Sequence, residues 1–223
     1  MVFTKLALTI TSAVKEAGGD PHSNVRLAAA IEDAKKQSVP KATIERAISR
    51  GLGATNEQLT YEVYQGYGPH QVALMIEAMT DNPNRTIQRI RSILNRAGGS
   101  VASVDWRFTK KAKIHFTQGS TSDTAETMMA NGIDAGAEDI SQVGTDKVEV
   151  VCAFEDLSTV SQALEQQHNY RVVLAQRYYM PEDPESLTID QRAELQHTLE
   201  ALANIDDVIR VHSNAQPLPA KPE

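Results

Sequence analysis

The sequence predicts an α+β chain of three domains: an N-terminal three-helix domain and two α/β sandwiches, the last inserted into the middle one. Three observations predict this. The first 56 residues carry helical periodicity, the period then switches to alternation, and the later elements read as one βαββαβ plan interrupted by a second block of similar plan. With 223 residues and 41% hydrophobic content, the chain is long enough to bury several small cores.

In the first segment Phe3, Leu6, Ile10, Val14 and Ala17 recur at three- and four-residue steps, and the stripe stops at Gly18, Gly19, Asp20 and Pro21. A second helix is predicted with Ser23 as its cap and Leu27, Ile31 and Ala34 on its buried side. The third follows Pro40, a residue suited to the first helical position because its missing N–H would be unpaired there anyway. It ends at Arg50 before Gly51, and LGATNEQ is the linker out.

Beyond the linker, alternation predicts strands near 60–66 and 71–79, a helix over 83–97, and strands near 104–109 and 112–117. A helix near 122–132, strands near 137–142 and 146–153, a helix over 156–168 and a strand over 171–180 follow. A helix over 188–203 and a strand over 205–212 close the pattern. Lifting out the block from about 119 to 182 leaves βαββαβ, the order of a ferredoxin-like sandwich. The predicted domains are therefore 1–56, 57–118 with 184–214, and the inserted 119–183, with a flexible proline-rich tail over 215–223.

The net charge of −7 hides a gradient. Residues 80–113 carry 8 basic and 2 acidic side chains, whereas residues 114–223 carry 6 basic and 19 acidic ones. Such segregation lets one face attract polyanions while another repels them. No apolar run approaches the roughly 20 residues of a membrane span. The single cysteine, Cys152, lies in the alternating run KVEVVCAF and reads as a buried strand residue, so no disulfide framework is expected. The six histidines are scattered without ligand spacing, and no HExxH, GxSxG or Walker A loop occurs. Neither an enzyme, nor a cofactor, nor a metal site is expected.

The stretch TDNPNRT, from Thr80 to Thr86, starts a helix: Asn82 is a good cap and Pro83 fixes the first turn. On that helix Arg85, Arg89, Ser92 and Arg96 fall within about 60° of one another, opposite Ile87, Ile90, Ile93 and Leu94. Asp81 and Asp105 are the only acids of the segment, so the arginines lack local partners and suit phosphate. Lys110 and Lys111, read as a nearby hairpin turn, and Lys41, Arg46 and Arg50 of the third helix extend the candidate track. In QGYGPHQ, Gly66 and Gly68 are read as permitting positive φ in a tight turn, and Tyr64, Tyr67 and His70 could stack on bases.

The ordered set FTKL at Phe3, GGDP at Gly18, PKATIERAISRG at Pro40, YQGYGP at Tyr64, TDNPNRT at Thr80, AGG at Ala97, GAEDI at Gly136 and IDDV at Ile205 resembles the YebC/PmpR family. The resemblance covers nearly the whole chain and implies a helical domain followed by two ferredoxin-like ones. Its members regulate gene expression, as DNA-binding transcriptional regulators or as factors acting on ribosomes and messenger RNA. Two departures stand out. The lysine-rich segment that usually precedes FTKL is absent, and GPHQ replaces the commoner GPGG. The start also lacks a transit or secretory pattern, so either no address exists or it has been removed.

The expectation is a non-enzymatic translational activator, monomeric or weakly oligomeric, that meets the ribosome and messenger or ribosomal RNA through the basic surface. Duplex DNA, or a basic protein partner meeting the acidic half, is the alternative. The missing basic start points to the mitochondrial matrix, with the cytoplasm as the other location.

Overall fold

A computed structural model describes residues 2–54 and 59–216. Its contacts divide the chain into two compact units, one within residues 58–109 and 179–223, the other within 2–57 and 110–178.

The first unit is a four-stranded sheet in the order β3-β1-β2-β8, from β1 (Thr60–Tyr67), β2 (Ala73–Thr80), β3 (Ser100–Val101) and β8 (Val208–Ser213), with helices α4 (Pro83–Arg96) and α7 (Ile189–Ala203). Every residue of the central β2 is buried, as ALMIEAMT suggests for a strand covered on both faces. Leu74, Ile76 and Ala78 pack on Ile90 and Leu94 of α4 and on Leu195 and Leu202 of α7. Ala73 and Met75 face the other way, onto Val104, Phe108 and Tyr179.

The second unit begins with three helices, α1 (Val2–Ala17), α2 (Val25–Lys36) and α3 (Lys41–Gly51), around Ile10, Val14, Leu27, Ala34 and Ile44. The stripe is shorter than its periodicity predicts, because Phe3 and Ala17 are exposed. Asn24, not Ser23, caps α2. Its carboxamide accepts from the Leu27 amide at 3.0 Å and donates to the Ala13 and Gly18 carbonyls at 2.8 Å each, which a hydroxyl could not do together. At Gly51 a Cβ would sit 2.5 Å from that of Val14, so glycine sets the close approach of α3 to α1.

The same unit holds β4 (Phe108–Thr117), α5 (Ala125–Asp134), β5 (Asp139–Val143), β6 (Lys147–Ala153), α6 (Leu157–Gln162) and β7 (Arg171–Pro181), with the sheet in the order β5-β6-β4-β7. This is an uninterrupted βαββαβ. The expected hairpin of 104–109 and 112–117 is instead the two-residue β3, a short turn over Asp105–Arg107, and one continuous β4. No Gly, Pro or Asn lies between Phe108 and Thr117 to turn the chain, and Ala112, Ile114 and Phe116 keep to one buried face. In the first sheet, β1 fills the place expected for the second hairpin strand. Cys152 is fully buried among Ile114, Phe116 and Val150, and burial pushes its thiol up to about 11. Val25 and Ala29 of α2 join this core, so helices and inserted sandwich share a packed boundary.

One local expectation changes. Positive φ in QGYGPHQ falls on His70 and Gln71, at 58° and 60°, rather than on Gly66 or Gly68. Gly66 is needed for space, since a Cβ there would lie 2.6 Å from the Ser100 carbonyl. Because Gln71 is exposed and left-handed, Gln71→Gly is expected to raise thermal stability by up to about 1 kcal/mol, read by calorimetry. Asn214, the last residue of the expected middle domain, is fully buried, accepts from the Ala73 amide at 2.8 Å and donates to the Asp183 carbonyl at 2.9 Å, and just beyond it the Gln216 amide donates to the Glu185 carbonyl at 2.9 Å. Positions 217–223, and 55–58 of the linker, lie outside the described residues.

Candidate nucleic-acid interface

Helix α4 starts as the sequence predicts. Pro83 opens it, and the Asn82 side chain accepts from the Arg85 amide at 3.0 Å. Beneath that turn lies a cluster absent from the sequence reading. Asp207, from IDDV, accepts from the Thr86 hydroxyl at 2.6 Å, from Arg85 Nη2 at 3.1 Å and from the Thr80 hydroxyl at 3.4 Å. Two motifs about 120 residues apart in sequence thus close into one network, with Thr80 and Thr86 fully buried.

Arg85 therefore leaves the expected track. Its Nη2 also donates to Asp81 at 2.5 Å, and its hydrogen bonds to Asp81 first and Asp207 second raise its pKa above the ordinary value. Its Nη2 is spent inside the chain, while its Nε is buried with no hydrogen-bond partner among the described residues. The sequence argument counted acids only within residues 80–113 and could not place Asp207 there. Replacing Asp207 by alanine is expected to destabilise the unit by about 2–3 kcal/mol, since two buried hydroxyls and a guanidinium lose a charged acceptor. Chemical denaturation of the variant checks this.

Arg89 and Arg96 are exposed, as expected. Arg96 folds back to the Ser92 carbonyl and hydroxyl at 3.2 Å each, and no carboxylate pairs with either arginine among the described residues. Arg91, outside the predicted track, is exposed too. It was missed because it lies about 120° away on the helical wheel, on a flank rather than in the stripe. From Asn84 to Arg96 the exposed residues are Asn84, Gln88, Arg89, Arg91, Ser92, Asn95 and Arg96, with no acid and three permanent cations.

The other five expected residues belong to the second unit. Lys111 pairs with Glu138 at 2.5 Å, and Lys110 stands 4.2 Å over the Phe154 ring. Both lie within β4, not in a hairpin turn, which is why they meet partners on neighbouring elements. Lys41 keeps a loose pair with Glu45 at 3.6 Å, Arg46 is exposed, and Arg50 is half-buried and engaged within the chain. Nor are the tyrosines open platforms. Tyr64 packs on the α4/α7 core and Tyr67 on the opposite one. Trp106 is exposed over 64% of its surface, with the Arg107 guanidinium 5.1 Å from its ring. The only tryptophan lying in a predicted strand hid this.

The described residues thus form a helical domain and two antiparallel ferredoxin-like sandwiches, one of which carries a helix whose exposed residues include three arginines and no carboxylate. Residues 57–215 match the TACO1/YebC second and third domain, and residues 1–54 match the TACO1/YebC protein N-terminal domain. The chain belongs to the TACO1/YebC family.

A probable transcriptional regulatory protein of Thermotoga maritima is 41% identical over 218 residues, covering 96% of this chain and 84% of that one. One from Chloroflexus aggregans is 40% identical over 223 residues, covering 96% and 86%. The crystal structure of a conserved hypothetical protein from Aquifex aeolicus superposes with a TM-score of 0.82 at 32% identity, over 100% of this chain and 92% of that one. The family identifies the chain as a regulator of gene expression. The relatives are bacterial, and bacteria lack mitochondria, so the expectation of a matrix protein is overturned in favour of the cytoplasm.

Proposed function

We propose that the chain regulates gene expression by gripping the phosphate backbone of ribosomal or messenger RNA through α4, acting on translation without chemistry of its own. The observation that carries this is the exposure of Arg89, Arg91 and Arg96 on a helix whose exposed residues from Asn84 to Arg96 include no carboxylate. Arginine forks suit phosphate oxygens, and backbone contacts follow shape rather than sequence.

Duplex DNA is the second reading, favoured by the relatives' name and by the Asn84, Gln88 and Asn95 amides beside the arginines, which are side chains able to read base edges. Helix α7 packs beside α4 and exposes Asp190, Glu194 and Glu200, carboxylates that confine the phosphates of either nucleic acid to the α4 side.

Competition at matched salt separates the two. Protein bound to labelled ribosomal RNA is expected to resist displacement by an equal nucleotide concentration of random duplex DNA. Displacement at parity would transfer the function to DNA.

A further inference from the structure

Between the C-terminal half of α4 and the facing side of α7 runs a cleft of about 770 Å³, inside the range of roughly 300–1,000 Å³ typical of small-ligand sites. Its lining is apolar in the middle, with Pro69, Ile93, Ala97 and Ala201, and polar at both margins. Arg96 stands on the α4 margin and Glu194 and His197 on the α7 margin. The wall at one end is the turn Pro69–Gln71, where two successive side-chain-bearing residues, His70 and Gln71, hold positive φ. Such backbone costs on the order of 1 kcal/mol or more per residue and persists only where surroundings impose it. His70 Nε2 lies 2.7 Å from Glu194 Oε2, a contact between this turn and α7.

A groove with a flat apolar floor, a cation on one lip and hydrogen-bonding groups on the other matches one kind of ligand closely. An unpaired nucleotide has a flat, weakly polar body, an anionic end and a hydrogen-bonding edge. We propose that this cleft receives a single unstacked nucleotide of the bound RNA. Its base lies on Ile93, Ala97 and Ala201, its phosphate meets Arg96, and its edge faces His197 and Glu194. This rests on the RNA reading of α4 and deepens it: Arg96 belongs to both the backbone track and the cleft, so the track leads a strand to the cleft mouth. The inference gives α4 a preference for single-stranded or looped segments over uniform duplex, because a paired base is not free to enter.

The test uses the full chain and three probes: a mixed-sequence single-stranded RNA, a fully paired RNA hairpin stem, and adenosine or uridine monophosphate. Ala193 is exposed on the cleft lining and Arg89 and Arg91 are not part of that lining, so Ala193→Trp fills the space while leaving those two arginines in place. The variant is expected to bind single-stranded RNA about tenfold more weakly, in the range lost when one stacked base is removed, and the stem within about twofold of the parent. The mononucleotides are expected to shift the amide resonances of Ile93, Ala97 and His197, and Ala193→Trp to abolish those shifts. Equal weakening on both RNAs, or no weakening on either, overturns the nucleotide cleft, as does absence of shifts at millimolar mononucleotide. Arg89→Gln with Arg91→Gln, which leaves the cleft untouched, tests the α4 reading separately: if that pair changes no affinity, the backbone reading fails whatever the cleft does. Shifts produced equally by benzoate would reassign the cleft to aromatic anions in general and likewise overturn it.

Discussion

Replacing Glu77 by alanine is expected to destabilise the first compact unit by roughly 3–5 kcal/mol, because it strips the anion from a buried network built around it. Glu77 sits in the central strand β2 at 2% exposure, on the sheet face away from α4 and α7. His212 Nε2 lies 2.6 Å from its Oε1, the Tyr61 hydroxyl donates to its Oε2 at 2.5 Å, and Arg210 Nη1 stands 3.9 Å away. Tyr179 closes the site with its ring edge-on to His212, centroids 5.0 Å apart. Without the carboxylate, the half-buried imidazole and phenol lose their charged acceptor and Arg210 loses a nearby anion.

The pH dependence has a definite sign. Burial pushes the Glu77 carboxyl up, but the hydrogen bond and charge of His212, with Arg210 and Tyr61 behind them, overcome this and bring it from 4.5 to about 2. A depressed folded value means the stabilisation is fully present above pH 4.5 and is lost as pH falls toward 2. It amounts to roughly 3 kcal/mol. Glu149, beside Lys113 and His115, is likewise held below the ordinary carboxylate value, so the informative quantity is a difference. In urea titrations between pH 7 and pH 2.5, the gap in unfolding free energy between parent and Glu77→Gln should narrow as pH falls. A gap independent of pH contradicts the assignment.

The second large effect concerns binding. Changing Arg89, Arg91 and Arg96 together to glutamine is expected to weaken RNA affinity by about a hundredfold near 0.1 M salt. Each arginine lost also lowers the slope of log affinity against log salt by nearly one. Arg85→Gln is expected to behave oppositely, reducing stability through Asp207 while leaving the salt slope unchanged, since its guanidinium already faces two carboxylates. Fluorescence anisotropy on a labelled RNA over a salt series checks both variants. Parallel slopes for triple variant and parent would remove the three arginines from the interface.

How much of this was readable beforehand depends on how local the cause is. Helix α4 was legible in full because its signals are local: a cap at Asn82, proline at the first turn, and isoleucines at helical spacing. The alternation of β2 and β6 was legible for the same reason. β4 was misread as a hairpin because two lysines in a row resemble a turn, although no turn-forming residue accompanies them. What resisted sequence reasoning was pairing across distance. Arg85 looked free because Asp207 reaches it only after β8 is laid beside β2. The register that sets Arg210 opposite Glu77 explains why a lone acid survives in an apolar strand, and nothing within ALMIEAMT reveals its partners. Lys110 and Lys111 likewise found Phe154 and Glu138 through the fold of the inserted sandwich. The cleft between α4 and α7 had no signature at all, being lined mainly by small residues whose role is to leave space.

The central claim is that the α4 arginine face meets RNA. The most direct measurement places a photoreactive side chain at Ser92, exposed amid the arginines, and a control at Asp134, exposed on α5. Illumination in ribosome-containing extract is expected to crosslink position 92 to ribosomal or messenger RNA, with the adduct lost on ribonuclease treatment, and to leave position 134 without RNA. Crosslinks from position 92 that survive ribonuclease but not deoxyribonuclease, or that run only to protein, would contradict it.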